Sequence, residues 1–120
     1  MKVGDFKDLI VWQRAKELVL LTYKITSKFP KEEQFGLVSQ MRRAAVSILS
    51  NITEGYARRH TGEFLQFLYI SLGSAAEYES QLIVSNELDF LIKSDYDLSN
   101  SKLKEVQRML NSLINSLRKK

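Results

Sequence analysis

Apolar residues recur every three or four positions along nearly the whole chain, and no segment alternates between apolar and polar residues as a strand would. This spacing predicts four α-helices, over about residues 9–28, 31–58, 63–91 and 98–118, with a loop over 93–97 before the last. Short connections make successive helices run in opposite directions. We therefore expect an all-α fold, an antiparallel up-down-up-down four-helix bundle in which all 120 residues form one domain.

Local signals refine the predicted helix ends. The carboxylate of Asp8 can accept a hydrogen bond from a free amide in the first turn, so we expect it to cap the first helix. Pro30 is expected to end the first helix and to start the second, with residues 31–33 in its first turn. Asp97 or Ser99 is expected to cap the fourth helix.

The predicted third helix has two apolar stripes rather than one. The stripe that we expect to face the bundle comprises Phe67, Ile70, Ser74, Glu77, Gln81, Val84 and Leu88. The other comprises Leu65, Leu68, Leu72, Ala75, Leu82 and Ile83. A helix with two apolar stripes needs partners on two sides. One partner is its own bundle, and the other could be a neighbouring subunit.

The composition excludes several kinds of chemistry. The chain has no cysteine, so disulfides, thiolate metal sites and cysteine nucleophiles are excluded. A carboxylate-bridged di-iron site in a bundle needs Glu-x-x-His twice, but His60 is the one histidine and Ala57 precedes it by three. No nucleophile and base pair stands out. We therefore expect no cofactor, no metal and no enzymatic activity.

Charge is unevenly distributed along a chain whose net charge is +4. Residues 61–97 contain one basic and seven acidic side chains, whereas residues 98–120 contain six basic and one acidic. One interpretation is that these are simply solvated helix faces. The other is head-to-tail assembly, in which an acidic flank meets a basic flank of the next copy and the contact closes into a ring.

The second helix has a polar side opposite its apolar face, within residues 40–58. We expect it to form a partly buried polar network with the third helix, in which Arg43 or Arg42 reaches Glu77. The candidate members are Arg42, Arg43, Ser47, Asn51, Glu54, Glu77 and Gln81. An exposed face with helix-stabilising pairs and a ligand site remain the alternatives.

Basic side chains cluster after the second helix and along the fourth. The candidate nucleic-acid-binding residues are Arg58, Arg59, Lys102, Lys104, Arg108, Arg118, Lys119 and Lys120. Such clusters are also common at solvated helix ends, where the dipole favours them. The chain has no glycine-rich phosphate loop and no signature of an RNA recognition motif. Phosphate contacts with little base readout are therefore the form of binding that we expect.

Five stretches of the chain resemble a known family. They are Phe6-x-x-Leu9-x-Val11-Trp12-x-x-Ala15, Phe29-Pro30-x-Glu32-Glu33-x-Phe35-Gly36-Leu37, Gln40-x-Arg42-Arg43-Ala44-x-x-Ser47-Ile48-x-x-Asn51-Ile52-x-Glu54-Gly55, Phe64-x-x-Phe67-Leu68 and Gly73-Ser74-x-x-Glu77. Together they resemble the bacterial four-helix-bundle proteins encoded in intervening sequences of large-subunit (23S) ribosomal RNA genes. Thr53 stands where the family pattern leads us to expect alanine or valine.

The resemblance implies a homo-oligomeric bundle, typically a five-membered ring, and no known enzymatic activity. The family is also similar, more distantly, to the accessory protein of diversity-generating retroelements, a basic pentameric bundle that binds nucleic acid and a reverse transcriptase. This favours a ring that binds structured RNA or another nucleic acid. The alternative is a protein–protein interaction scaffold that binds no nucleic acid. With no signal peptide or membrane-spanning run in the sequence, we expect a cytoplasmic protein with no membrane partner.

Overall fold

The computed structural model describes residues 4–119. It consists of four α-helices, with no strand among those residues, which confirms the predicted all-α four-helix fold. The helices are α1 (Ile10–Thr26), α2 (Leu37–Tyr56), α3 (Thr61–Glu87) and α4 (Lys93–Arg118), and short 3-10 turns at Phe6–Asp8 and Lys31–Glu33 precede α1 and α2. No helix within the described residues is both long and apolar enough to cross a lipid bilayer.

Contacts at both ends of α1 show that it runs antiparallel to α2. Near the start of α1, Trp12 Nε1 donates a hydrogen bond of 2.9 Å to Thr53 Oγ1, near the end of α2. Near the end of α1, Thr26 Oγ1 accepts one of 3.0 Å from Arg42 Nε, near the start of α2. The first bond also explains the departure at Thr53, because alanine or valine there would leave the indole N–H without this acceptor.

Ion pairs place α4 antiparallel to α1 as well. Lys28 lies 3.2 Å from Asp95 at one end of the pair, and Lys102 lies 3.2 Å from Glu17 further along. In the described chain, α2 and α4 share no backbone contact, nor do α1 and α3, so each of these pairs lies on a diagonal of the bundle. The outer surfaces of α2 and α4 therefore point in opposite directions.

Small residues bring α2 and α3 closest together. A methyl group at Gly55 would lie 2.7 Å from Cβ of Phe67, which is closer than carbon atoms pack. Seven residues earlier on α2, the Ile48 carbonyl accepts a hydrogen bond of 2.8 Å from the buried Ser71 hydroxyl. This is the most extensive helix pair in the fold, and its antiparallel register follows from these two contacts.

Tyr78 is the largest fully buried side chain among the described residues. Its hydroxyl lies 2.6 Å from Thr22 Oγ1, so the phenol has a partner across the core. Burial raises the pKa of Tyr78 to about 12, and the hydroxyls of Thr22 and Ser99 partly oppose that shift. The phenol is therefore held in its neutral form inside the bundle.

The sequence assigned the two stripes of α3 the wrong way round. Ile70, Glu77, Val84 and Leu88, expected to face the bundle, are exposed, although Ser74 is buried and Phe67 and Gln81 are half-buried. The buried face is instead Phe64, Leu68, Ser71, Ser74, Ala75, Tyr78, Leu82 and Ser85. The hydroxyl groups of Ser71, Ser74 and Tyr78 can be buried there because each has a partner on another helix, whereas the carboxylate of Glu77 would have to lose its hydration.

The fourth helix begins earlier than predicted, at Lys93, so residues 93–97 lie in helix rather than in a loop. Neither predicted cap acts as one: Ile92 occupies the N-cap position, without a side-chain hydrogen bond. Asp97 lies in the second turn and forms an ion pair of 3.2 Å with Lys93. Ser99 is buried in the core. The prediction placed the start of α4 at Asp97 or Ser99, but these polar residues lie more than one turn inside the helix.

Two other helix ends also differ from the prediction. Asp8 does not cap α1; its carboxylate accepts a hydrogen bond of 3.1 Å from the Asp5 amide within the preceding 3-10 turn. The third helix stops at Glu87 rather than near residue 91, because Asp89 adopts a left-handed conformation with φ of 62°. A left-handed residue cannot continue a right-handed helix.

The segment after Pro30 forms a turn rather than the first turn of α2. Pro30 is followed by a 3-10 turn at residues 31–33, and α2 starts only at Leu37. There the Glu33 carboxylate accepts a hydrogen bond of 3.2 Å from the Leu37 amide. The Glu33 carboxylate thus stabilises the N-terminus of α2, as the helix dipole predicts, but Glu33 itself lies in the turn before the helix.

We expect Gly55→Ala to destabilise the protein by about 1–3 kcal/mol, because the added methyl group meets Phe67 and the Phe64 ring and carbonyl. Gly73→Ala is the matched control. A methyl group there meets nothing within 4 Å, so better helix propensity should stabilise α3 by about 0.5–1 kcal/mol. Urea unfolding measures both. Equal effects of the two substitutions would contradict the close contact of α2 and α3.

We also expect stability to fall by about 1.4 kcal/mol per pH unit from pH 10 to about pH 12, because of Tyr78. Below pH 10 the phenol is protonated in both states. Above it the unfolded chain releases the proton while the folded chain retains it, which favours unfolding. The difference in unfolding free energy between wild type and Tyr78→Phe, followed against pH, isolates this effect from lysine titration. A difference independent of pH would refute it.

Candidate nucleic-acid interface and polar groove

Arg42 connects α1 to α2 and does not reach Glu77. Besides its hydrogen bond to Thr26, the guanidinium lies 4.5 Å from the centre of the Tyr23 ring. This arrangement combines a directional hydrogen bond with a cation–π contact. Arg42 is therefore a structural residue that joins the C-terminal end of α1 to the N-terminal end of α2.

The polar link between α2 and α3 consists of small side chains instead. Ser47 Oγ lies 2.7 Å from Ser74 Oγ, and Asn51 Nδ2 donates to Ser47 Oγ at 3.1 Å and to the Ser47 carbonyl at 2.8 Å. The prediction of a polar network thus holds for Ser47 and Asn51. Ser74, which sequence reasoning assigned to apolar packing, is its partner on α3. These short side chains suit the close approach of the two helices.

The predicted ion pair between Arg43 or Arg42 and Glu77 is wrong. Within residues 4–119 neither Arg43 nor Glu77 has an ion-pair or hydrogen-bond partner, although both line a cavity of about 270 Å³ between α2 and α3. Both side chains are exposed, so hydration competes with pairing. Gln81 lines the same cavity, and its Oε1 atom is buried without a hydrogen-bond donor.

Glu54 belongs to a different contact, at the end of α2. Its carboxylate accepts a hydrogen bond of 3.1 Å from Arg58, one turn later. The Arg58 guanidinium also lies 4.8 Å from the centre of the Phe67 ring on α3. Both contacts hold Arg58 against the bundle, so its charge is partly compensated.

The antiparallel topology brings two basic segments to one end of the bundle. The connection between α2 and α3 carries Arg59, and α4 ends at Arg118, followed by Lys119. All three side chains are exposed and have no ion-pair partner among the described residues. Lys120, the last of the predicted set, lies outside the described residues. This end of the bundle thus presents free cations from two parts of the sequence.

Two predicted lysines of α4 instead connect helices. Lys104 lies 2.6 Å from Glu79 of α3, and Lys102 lies 3.2 Å from Glu17 of α1. The hydrogen bond from Lys104, with a second from Gln107, lowers the pKa of Glu79 below its ordinary value. Both lysines therefore have structural partners, and their charges are less available to a ligand.

The outer face of α4 contains polar residues that sequence reasoning missed. Asp97 and Leu98 are exposed near its start, but from Ser101 onward the exposed side chains are hydroxyl, amide or basic groups at helical spacing, among them Ser101, Lys104, Arg108, Asn111, Ser112, Asn115 and Lys119. Arg108 has no partner in the described part of the chain. Glu105 is the one acidic residue after position 97, and it lies 3.5 Å from Arg14. The missed signal was this spacing of serine and asparagine between the basic residues.

The arrangement suits the binding of anions. Hydroxyl, amide and guanidinium groups are the side chains that contact phosphate oxygens in nucleic-acid complexes. No group of three or more His, Cys, Asp or Glu residues within 4–119 is placed to hold a metal ion. The candidate interface is therefore the outer face of α4 together with the basic end formed by Arg59, Arg118 and Lys119.

Comparisons with known proteins agree with the fold. Residues 7–112 match the sequence model of a family described as 23S rRNA-intervening sequence protein. The chain is also similar to the crystal structure of a protein of unknown function from the S23 ribosomal protein family of Bacteroides thetaiotaomicron, with a TM-score of 0.80 and 22% identity. That match covers 88% of this chain and 96% of the other. No curated protein matches the chain significantly.

Adjacent arginines provide a test of the polar contacts. We expect Arg42→Ala to lower the unfolding free energy by about 1–2 kcal/mol, because it removes the hydrogen bond to Thr26 and the contact with Tyr23. Arg43→Ala, the matched control, should change it by less than about 0.5 kcal/mol. Urea unfolding of both variants measures the difference, and a larger loss from Arg43→Ala would contradict this assignment.

Proposed function

The chain belongs to the 23S rRNA-intervening sequence protein family, and from that premise we propose a cytoplasmic, non-catalytic, homo-oligomeric bundle that binds structured RNA. The supporting observation is the set of unpaired cations at one end of the bundle and along α4. Arg59, Arg108, Arg118 and Lys119 are exposed and have no ion-pair partner within residues 4–119. Free cations of this kind can release counterions from a phosphate backbone.

The side chains between these cations favour contact with a backbone rather than with bases. Ser101, Asn111, Ser112 and Asn115 can donate to phosphate oxygens and to ribose hydroxyls. The exposed face of α4 has no aromatic side chain on which an unpaired base could stack. Double-stranded RNA is recognised largely through its shape, its 2′-hydroxyls and its phosphates. A folded RNA is therefore the ligand class that this surface fits best.

Assembly would strengthen such binding. One copy carries a net charge of only +4, and four unpaired cations support weak binding. In a ring each copy repeats the same α4 surface, so binding to one long RNA gains from several linked contacts. The outer face of α4 points away from α2, which leaves the α2 side of the bundle for contact between copies.

We expect the protein to bind a synthetic RNA hairpin in about 50 mM salt and to lose most of that affinity in about 300 mM salt. Arg108→Ala combined with Lys119→Ala should weaken binding about tenfold or more and reduce the salt dependence by about two phosphate contacts. Fluorescence anisotropy measures both quantities, and size-exclusion chromatography with light scattering gives the mass of the complex.

Lys24→Ala combined with Lys31→Ala is the charge-matched control. These exposed lysines have no ion-pair partner in the described chain, and they lie at the opposite end of the bundle. The control should therefore bind the hairpin almost as wild type does. If the wild type does not bind RNA at either salt concentration, the proposed RNA binding is wrong, and a protein–protein interaction scaffold becomes the favoured function.

A further inference from the structure

The turn between α1 and α2 projects an aromatic side chain into solvent. Phe35 is 89% exposed, more than any other large hydrophobic residue described. The turn around it is well defined: the Gly36 amide donates to the Glu33 carbonyl at 3.0 Å, and the Glu33 carboxylate caps α2. A large apolar group held in water by an ordered turn is costly to hydrate and is typical of a contact surface.

Phe35 forms one wall of a groove of about 600 Å³ over the α1–α2 pair. Tyr23 and Val46 line it and are also exposed, by 46% and 37%. Arg42 and Arg43 line it too, and Arg43 has no partner within residues 4–119. We call Tyr23, Phe35, Arg42, Arg43 and Val46 the basic aromatic groove.

A second unusual surface lies on the outer side of α3. Ile70, Val84 and Leu88 are 46%, 45% and 52% exposed, and Glu77 lies between them with no ion-pair partner in the described chain. Their spacing of seven, seven and four residues puts all four on one side of the helix. We call these four residues the α3 ridge. It is apolar and acidic, whereas the groove is apolar and basic.

We propose that the α3 ridge of one copy docks in the basic aromatic groove of a second copy. This inference rests on the oligomeric state in the proposed function and identifies the two surfaces that meet. Their charges are complementary: the groove offers Arg43 and the ridge offers Glu77, both without a partner in the single chain. Contact buries Phe35 and the apolar side chains of the ridge, which drives association, and the charges fix its register.

The position of the two surfaces favours a closed assembly. The groove lies on the α1–α2 side of the bundle and the ridge lies on α3, and the two surfaces adjoin at the cavity that Arg43 and Glu77 line together. A contact between two different surfaces is heterologous, so each copy can hold two neighbours. Because the surfaces lie on neighbouring parts of the bundle rather than on opposite ones, successive copies turn about an axis, and the assembly is a ring where that rotation closes.

Charge reversal tests the contact. Light scattering and analytical ultracentrifugation are used to measure assembly of wild type, Arg43→Glu, Glu77→Arg and Phe35→Ala, with circular dichroism as the check on folding. We expect each substitution to raise the concentration needed for assembly about tenfold or more, since a charge pair becomes repulsive or an apolar contact is lost. Arg108→Glu, a reversal on the far side of the bundle, is the control and should assemble as wild type does.

Mixing Arg43→Glu with Glu77→Arg gives the decisive result. Each variant alone has like charges at every proposed contact. In a mixture, each contact between the two variants has opposite charges at positions 43 and 77, and a ring with an odd number of copies keeps one contact between like variants. Assembly restored only by mixing supports the interface, because no change within one chain can produce it. An assembled wild type whose single variants assemble equally well overturns the interface and leaves the proposed oligomer intact. A wild type that is monomeric at all concentrations overturns the oligomer itself.

Discussion

The close contact between α2 and α3 is the constraint on which the rest of the bundle depends. Gly55 removes a side chain where Phe67 would collide with it, and the serines at positions 47, 71 and 74 bring hydrogen-bonding groups without bulk. Small residues let α2 and α3 pack closely. Larger side chains fill the remaining space between the helices, because a protein interior is packed without voids. Tyr78 fills the centre, and its hydroxyl crosses to Thr22 on α1. The helices α1 and α3 lie on a diagonal of the bundle, and this pair of hydroxyl groups connects them across the core.

The candidate interface follows from the same geometry. Since α4 contacts α1 and α3 but not α2, its outer face points away from α2. The lysines on its flanks are used to hold it in place, through Glu17 and Glu79. Only the cations that point away from both neighbours remain free, and Arg108 is the clearest of them. Charge along the sequence therefore overstates the charge available to a ligand.

The number of helices and their order could be predicted from the sequence, because apolar spacing of three and four is a local property. The assignment of the α3 stripes could not, since the buried face of α3 includes the hydroxyl side chains Ser71, Ser74, Tyr78 and Ser85, while apolar residues such as Ile70 and Val84 are exposed. What decided between them was whether each hydroxyl finds a partner, and Ser71 and Tyr78 find theirs on other helices. The pairing of Lys102 with Glu17, 85 positions away, is likewise visible only in the folded chain.

The diagonal placement of α2 and α4 has an evolutionary consequence. In the proposed assembly, substitutions on the outer face of α4 change the proposed ligand surface without touching the groove beneath Phe35 or the exposed side of α3. Substitutions in the groove change the proposed contact between copies without altering that ligand surface. Under these proposals, selection acts on target preference and on self-association as two separate traits.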